Sequence, residues 1–252
     1  MSPLKAPRIR RPLVKFLPNL VTIAALCAGL TAIRFAIEGD FTVSVWLIVF
    51  AAVLDGLDGR LARMLKSESE LGAELDSLVD FVNFGVAPAI VMDVWAFSGL
   101  DGTAWMSTLI YSVCCVLRLA RFNVGNRTED ATREYQHFRG IPSPAGALLA
   151  MAPIYVANML PDQNFLPNPL IGVYLVAVGA LMVSRLPTPS FKSIRIDADG
   201  ATWVMFALIG AATAMAFYPW ATLLALCAVY VLAILVSWRR LWRHRRLVGG
   251  PH

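Results

Sequence analysis

Two short stretches of this chain set acidic side chains among apolar ones: residues 55–63 read DGLDGRLAR and residues 72–80 read GAELDSLVD. Asp55, Asp58, Gly59 and Ala62 fall at i, i+3, i+4 and i+7, one face of a helix. Gly72, Asp76 and Asp80 fall at i, i+4 and i+8, again one face, and Asn83 extends it. Glu74 points away from that face and reads as structural. If the chain reverses near Ser67, Asp58 and Asp76 are each nine residues from the turn, and Asp55 and Asp80 are twelve and thirteen. At ~1.5 Å rise per residue each pair sits level across an antiparallel hairpin. Four carboxylates then converge at one depth. They need a compensating charge, and no lysine or arginine lies deep enough to supply it all. A divalent metal suits such an all-oxygen donor set. Gly59, Ala62 and Gly72 either clear space beside the carboxylates for a planar base or ribose, or simply let helices pack closely. Arg63 either neutralises a phosphate or anchors the chain at a membrane surface.

The elements that must position these residues are membrane helices. Of the residues 58% are hydrophobic and 15% charged, with mean hydropathy +0.62, whereas a soluble domain carries about a quarter charged residues. A span needs about 20 apolar residues, and eight candidates occur at 19–37, 41–60, 73–98, 103–120, 142–160, 169–185, 201–217 and 219–238. The expected fold is an all-α, polytopic integral membrane bundle. Residues 1–18, the connections after the second, fourth and sixth spans, and the tail hold 21 of the 22 lysines and arginines. Basic loops stay cytoplasmic, so both termini are expected inside. Arg34, the remaining one, lies four residues before Glu38, a helical pairing distance. Carboxylates at membrane depth normally mark a functional site. The net charge of +5 follows from topology and anionic lipid, so nucleic-acid binding gains no support.

Residues 1–18, basic and Pro-rich, read as an interfacial segment, followed by a retained first helix with Asn19 as its N-cap. The four cysteines, Cys27, Cys114, Cys115 and Cys227, lie inside apolar spans without metal-ligand spacing and read as buried, inert thiols. Trp238 and Trp242 fit an interfacial belt. A cation transporter is a rival reading of the aspartates, but a path needs relays across the membrane, and spans five to eight hold no acid at mid-depth.

The full pattern D-x2-D-G-x2-A-R, eight residues, then G-x3-D-x3-D resembles the signature of the CDP-alcohol phosphotransferases, matched here by Asp55, Asp58, Gly59, Ala62, Arg63, Gly72, Asp76 and Asp80. The resemblance implies metal binding by all four aspartates, with Asp80 also the general base, and nucleotide binding around Gly59, Ala62, Arg63 and Gly72. It implies a six-helix core, 19–185, open to the cytoplasm and often dimeric. Residues 186–252, with two further spans and a basic tail, would be additions to that core. The segments LPNLVT (17–22), LGAELDSLVDFVNFGVAPA (71–89), RLARFN (118–123) and FRGIPSPAGA (138–147) are similar to the bacterial phosphatidylserine-synthase branch. LPNLVT adds Asn19 and Thr22 to the nucleotide side. Asn83 stands where that branch often has serine. This branch implies CDP-diacylglycerol and L-serine as substrates, Mg²⁺ or Mn²⁺, two ions in the obvious arrangement, and a bacterial cytoplasmic membrane. Arg118, Arg121, Asn123, Arg139, Ser143 and Asn83 are its candidate serine-binding residues. Within the family, glycerol phosphate, choline and inositol are the alternative acceptors.

Overall fold

The computed structural model describes residues 16–97, 102–127, 140–160, 167–184 and 198–248. Every regular element among them is helical: α1 (Leu17–Ile37), α2 (Phe41–Met64), α3 (Glu70–Asp80), α4 (Ala87–Phe97), α5 (Gly102–Arg127), α6 (Ser143–Ala150), α7 (Ala152–Met159), α8 (Asn168–Val183), α9 (Ala198–Phe217) and α10 (Pro219–Val248). A π-helical turn, Phe81–Val86, joins α3 to α4 without a break. With α3–α4 and α6–α7 each taken as one rod, eight helical segments occupy the eight expected places. Five stretches are long and apolar enough to cross a membrane by length and composition: Leu17–Ile37, Phe41–Met64, Glu70–Phe97, Trp105–Gly125 and Pro219–Arg239. The interfacial segment expected at 1–18 lies outside the described residues up to residue 15.

The bundle inverts the pattern of a water-soluble protein. α1 buries Thr22, Ala25, Ala28, Gly29, Ala32 and Ala36 and exposes Leu20, Ile23, Leu30 and Ile37. Small residues let helices approach, and the large apolar ones remain for lipid. Cys115 and Cys227 are buried as expected, but Cys27 is exposed on the outer face of α1. An apolar surround can come from lipid as readily as from protein. Asn19 does not cap α1. The helix starts three residues earlier than that cap would allow, with Phe16 at the N-cap and Pro18 in the first turn, where a missing N–H removes no helical bond. Arg34 Nε donates to Glu38 at 2.8 Å, the pairing their spacing predicts.

Two prolines shape the interior in the same way. Pro88 has no N–H for the carbonyl of Phe84, four residues earlier. The chain opens there into the π turn, Ala87 N–H reaches Val82 O, and the Tyr111 hydroxyl on α5 donates to Phe84 O at 2.9 Å. Ser112 donates to the adjacent Gly85 O at 3.1 Å. Pro153 likewise has nothing for Leu149 O, and the expected span 142–160 breaks at Met151 into α6 and α7. Tyr174 of α8 donates to Leu149 O at 2.6 Å, and Cys227 of α10 reaches Leu148 O at 3.6 Å. Unpaired carbonyls cannot be left to hydrocarbon. Tyr111→Phe should therefore lower stability by about 1–3 kcal/mol, read as a fall in the thermal unfolding midpoint in detergent. An unchanged midpoint would contradict this account of the π turn.

α10 packs against α6, α7 and α9, with the Trp220 and Tyr155 rings stacked at 6.2 Å between centroids. Trp238 is half exposed, as an interfacial residue would be. Trp242 lies on α10.

Candidate active site

The hairpin predicted from the aspartate spacing forms, with its reversal between Met64 and Glu70 and Ser69 as the N-cap of α3, accepting from Gly72 N–H at 3.1 Å. It brings one carboxylate oxygen each from Asp55 of α2 and Asp76 and Asp80 of α3 within 4.8 Å of one another. Like charges this close repel strongly, and a hard cation relieves them. The donor set is all oxygen and fits a divalent ion.

Asp58 is outside that 4.8 Å group but within electrostatic reach of Asp76 and Asp55. It is 4% exposed, and its Oδ2 accepts from the Thr22 hydroxyl of α1 at 2.7 Å. Thr22 Oγ1 also lies 3.0 Å from Pro18 O, and its one proton can serve only one of these acceptors at a time. Of the four carboxylates expected to converge, three lie within 4.8 Å of one another, and Asp58, beside them, also accepts from α1. The pairing has no signature in the spacing because it depends on where α1 docks.

The small residues divide in the same manner. A Cβ on Gly59 would meet nothing within 4 Å, so the backbone beside Asp58 is open. A Cβ on Gly72 would come within 3.2 Å of Asn19 Oδ1, so α1 and α3 approach closely there. Ala62 is half-buried beside the turn, and exposed Arg63 folds back one helical turn to donate from Nε to Gly59 O at 3.0 Å. Glu74 is exposed, as its position off the aspartate face predicts.

The candidate acceptor residues separate. Arg118 and Arg121 share a spacing but not a partner. Arg118 is half-buried, lies over the Phe122 ring and donates from Nη1 to the Ser143 hydroxyl at the start of α6. It is within electrostatic reach of Asp55 and Asp80. Arg121 is exposed and donates to Val183 O of α8 at 2.9 Å. Asn123 donates to Ser77 of α3 at 3.0 Å, bracing the helix beside Asp76. Asn83 does not continue the aspartate face. The π turn changes the helical phase, and Asn83 is fully buried against Gly29 of α1. Arg139 lies outside the described residues. Asp93, which the spacing argument passed over, accepts from Thr108 at 3.0 Å further along the α3–α4 rod.

The carboxylates, Thr22, Arg118 and Ser143 therefore gather at one end of the bundle, where α1, α3 and α6 begin and α2, α5 and α8 end. The chain is 39% identical to a CDP-diacylglycerol–serine O-phosphatidyltransferase of Mycobacterium leprae, over 84% of this chain and 72% of that one. Proteins of the same name from Helicobacter pylori and Bacillus subtilis are 34% and 32% identical, over 73% and 71% of this chain and 76% and 93% of theirs. Residues 15–185, more than half of the chain and all of the gathered side chains, match the CDP-alcohol phosphatidyltransferase family, and the chain belongs to it.

Proposed function

We propose that the protein transfers the phosphatidyl group of CDP-diacylglycerol to the hydroxyl of L-serine, giving phosphatidylserine and CMP. The observation that carries this reading is the convergence of Asp55, Asp76 and Asp80 with Arg118 alongside, in a chain whose relatives bear the name of that transferase. Bound at the carboxylates, divalent metal (two ions of Mg²⁺ or Mn²⁺ on this reading) neutralises diphosphate charge and makes CMP a better leaving group. The open backbone at Gly59 admits the nucleotide, framed by Ala62, Arg63, Gly72, Asn19 and Thr22.

Asp80 accepts the proton of the serine hydroxyl, whose oxygen attacks the lipid-linked phosphorus while the bond from phosphorus to the CMP oxygen breaks. Arg118 holds the serine carboxylate. A guanidinium has five N–H donors, and the one given to Ser143 fixes its plane while leaving a fork for a bidentate pair. Arg121 is committed to a backbone carbonyl and is the weaker candidate. Asn123 acts through Ser77, and Arg139 remains a candidate from its position in the sequence.

The helix ends that lead into the basic connections lie at the same end of the bundle as the carboxylates. We therefore place both termini and the site on the cytoplasmic side of a bacterial cytoplasmic membrane. On this reading residues 19–185 are the catalytic core of a homodimer, 1–18 an interfacial segment, and 186–252 an addition. The test is CMP release by purified protein given CDP-diacylglycerol, metal and, in turn, serine, glycerol 3-phosphate, choline or inositol. Release with serine alone is expected. No release with any alcohol overturns the enzyme, and release with another alcohol but not serine overturns the acceptor.

A further inference from the structure

α10 lies wholly beyond residues 15–185, the part matched to the family, yet it is docked on the helices that frame the site. Trp220 stacks on Tyr155 of α7, and Cys227 reaches the carbonyl of Leu148 on α6. Three residues after Cys227, on the same face of α10, stands Tyr230. Its ring packs against the buried core, and its hydroxyl oxygen is shielded from solvent with no hydrogen-bond partner among the described residues. A buried hydroxyl left unsatisfied costs about 1–3 kcal/mol, and each such group in a folded protein calls for an explanation.

Its surroundings supply one. Tyr230 is within electrostatic reach of Arg118, although the two form no hydrogen bond. Arg118 in turn is anchored to Ser143, at the start of the helix pair on which α10 packs. Tyr155 makes a useful contrast. Its buried hydroxyl is also unpartnered, but its electrostatic neighbours are Cys227 and Tyr174, neither of them a charged group at neutral pH. A phenol O–H without an acceptor, near a guanidinium with donors to spare, suits a small anionic group shared between the two.

We propose that Tyr230 is a specificity-determining residue, donating its O–H to the acceptor carboxylate held by Arg118, so that α10 completes the acceptor pocket from outside the family core. This rests on the serine reading above and adds a chemical class: the pocket selects a small alcohol bearing a carboxylate.

The test compares serine with serinamide, which keeps the hydroxyl and the ammonium and lacks the carboxylate. In Tyr230→Phe, KM for serine should rise about tenfold, the effect of losing one hydrogen bond to a charged group. KM for CDP-diacylglycerol should stay within about twofold, and the preference for serine over serinamide should fall by the same tenfold. Tyr155→Phe removes the unpartnered hydroxyl of Tyr155 and should leave that preference unchanged. A Tyr230→Phe enzyme with wild-type preference overturns the inference while the serine reading stands, and so does an equal loss in both variants. Wild-type protein that releases no CMP with serine overturns both together.

Discussion

Asp80→Asn is expected to lower kcat for CMP release by at least about 10³-fold, within the range that positioned acid–base groups contribute, while the variant still binds CDP-diacylglycerol. The substitution keeps the shape of the side chain and removes its ability to take a proton. It also removes one of the three carboxylates that lie within 4.8 Å of one another. In chelator, the variant should therefore unfold at the same temperature as wild type or higher, because like charges are no longer forced together. That sign matters, since it separates a chemical defect from a folding defect. Retention of labelled CDP-diacylglycerol, turnover and the unfolding midpoint give three independent readouts. Turnover within tenfold of wild type would remove Asp80 as base. Asp58→Asn should be the milder change, because Asp58 is tied to Thr22 and stands outside the close group.

The second large effect is expected where α1 packs on the π turn. A Cβ on Gly29 would sit 2.0 Å from Asn83 Oδ1 and 2.9 Å from its Cγ. Asn83 is wholly buried inside the π turn, so its amide has nowhere to swing. Overpacking of this kind costs about 1–3 kcal/mol and moves backbone, and the backbone here leads directly into Asp80. Gly29→Ala should lower the unfolding midpoint and reduce turnover together. Asn83→Ser in the same chain removes the colliding amide, and the remaining approach to the Asn83 Cα, 3.4 Å, borders on ordinary contact. The double variant should recover most of the midpoint and the turnover. Gly29→Ala behaving as wild type would show that α1 and the π turn are not in such close register.

These two predictions mark how far the fold and site are legible in the sequence. Hydropathy places all eight helical segments, because lipid imposes one strong requirement on every span. The aspartate spacing finds the hairpin and its level carboxylates, because both residues of each pair belong to neighbouring helices joined by a short turn. It does not find the hydrogen bond to Asp58 from Thr22, 36 residues earlier, which depends on how a third helix docks. Pro88 and Pro153 lie inside spans read as continuous, 73–98 and 142–160. Whether a proline ends a span, splits it, or opens a π turn depends on which neighbour takes the freed carbonyl. For the same reason Asn83 reads as an extension of the aspartate face until the π turn is known. Arg118 and Arg121 are alike by spacing and differ only through Ser143 and Val183.

The two proline–tyrosine pairings also impose a direction on change. In water, a carbonyl stripped of its tyrosine would be rehydrated at little cost, so either member of the pair could drift first. Inside hydrocarbon that route is closed. Replacing Pro88 with a residue bearing an N–H gives Phe84 O a donor within its own helix and makes Tyr111 dispensable. Replacing Tyr111 first strands the carbonyl. The same ordering holds for Pro153, Leu149 O and Tyr174. Descent through sequence space is therefore a ratchet here: the proline can be lost before its tyrosine, and the tyrosine must be present before its proline is gained.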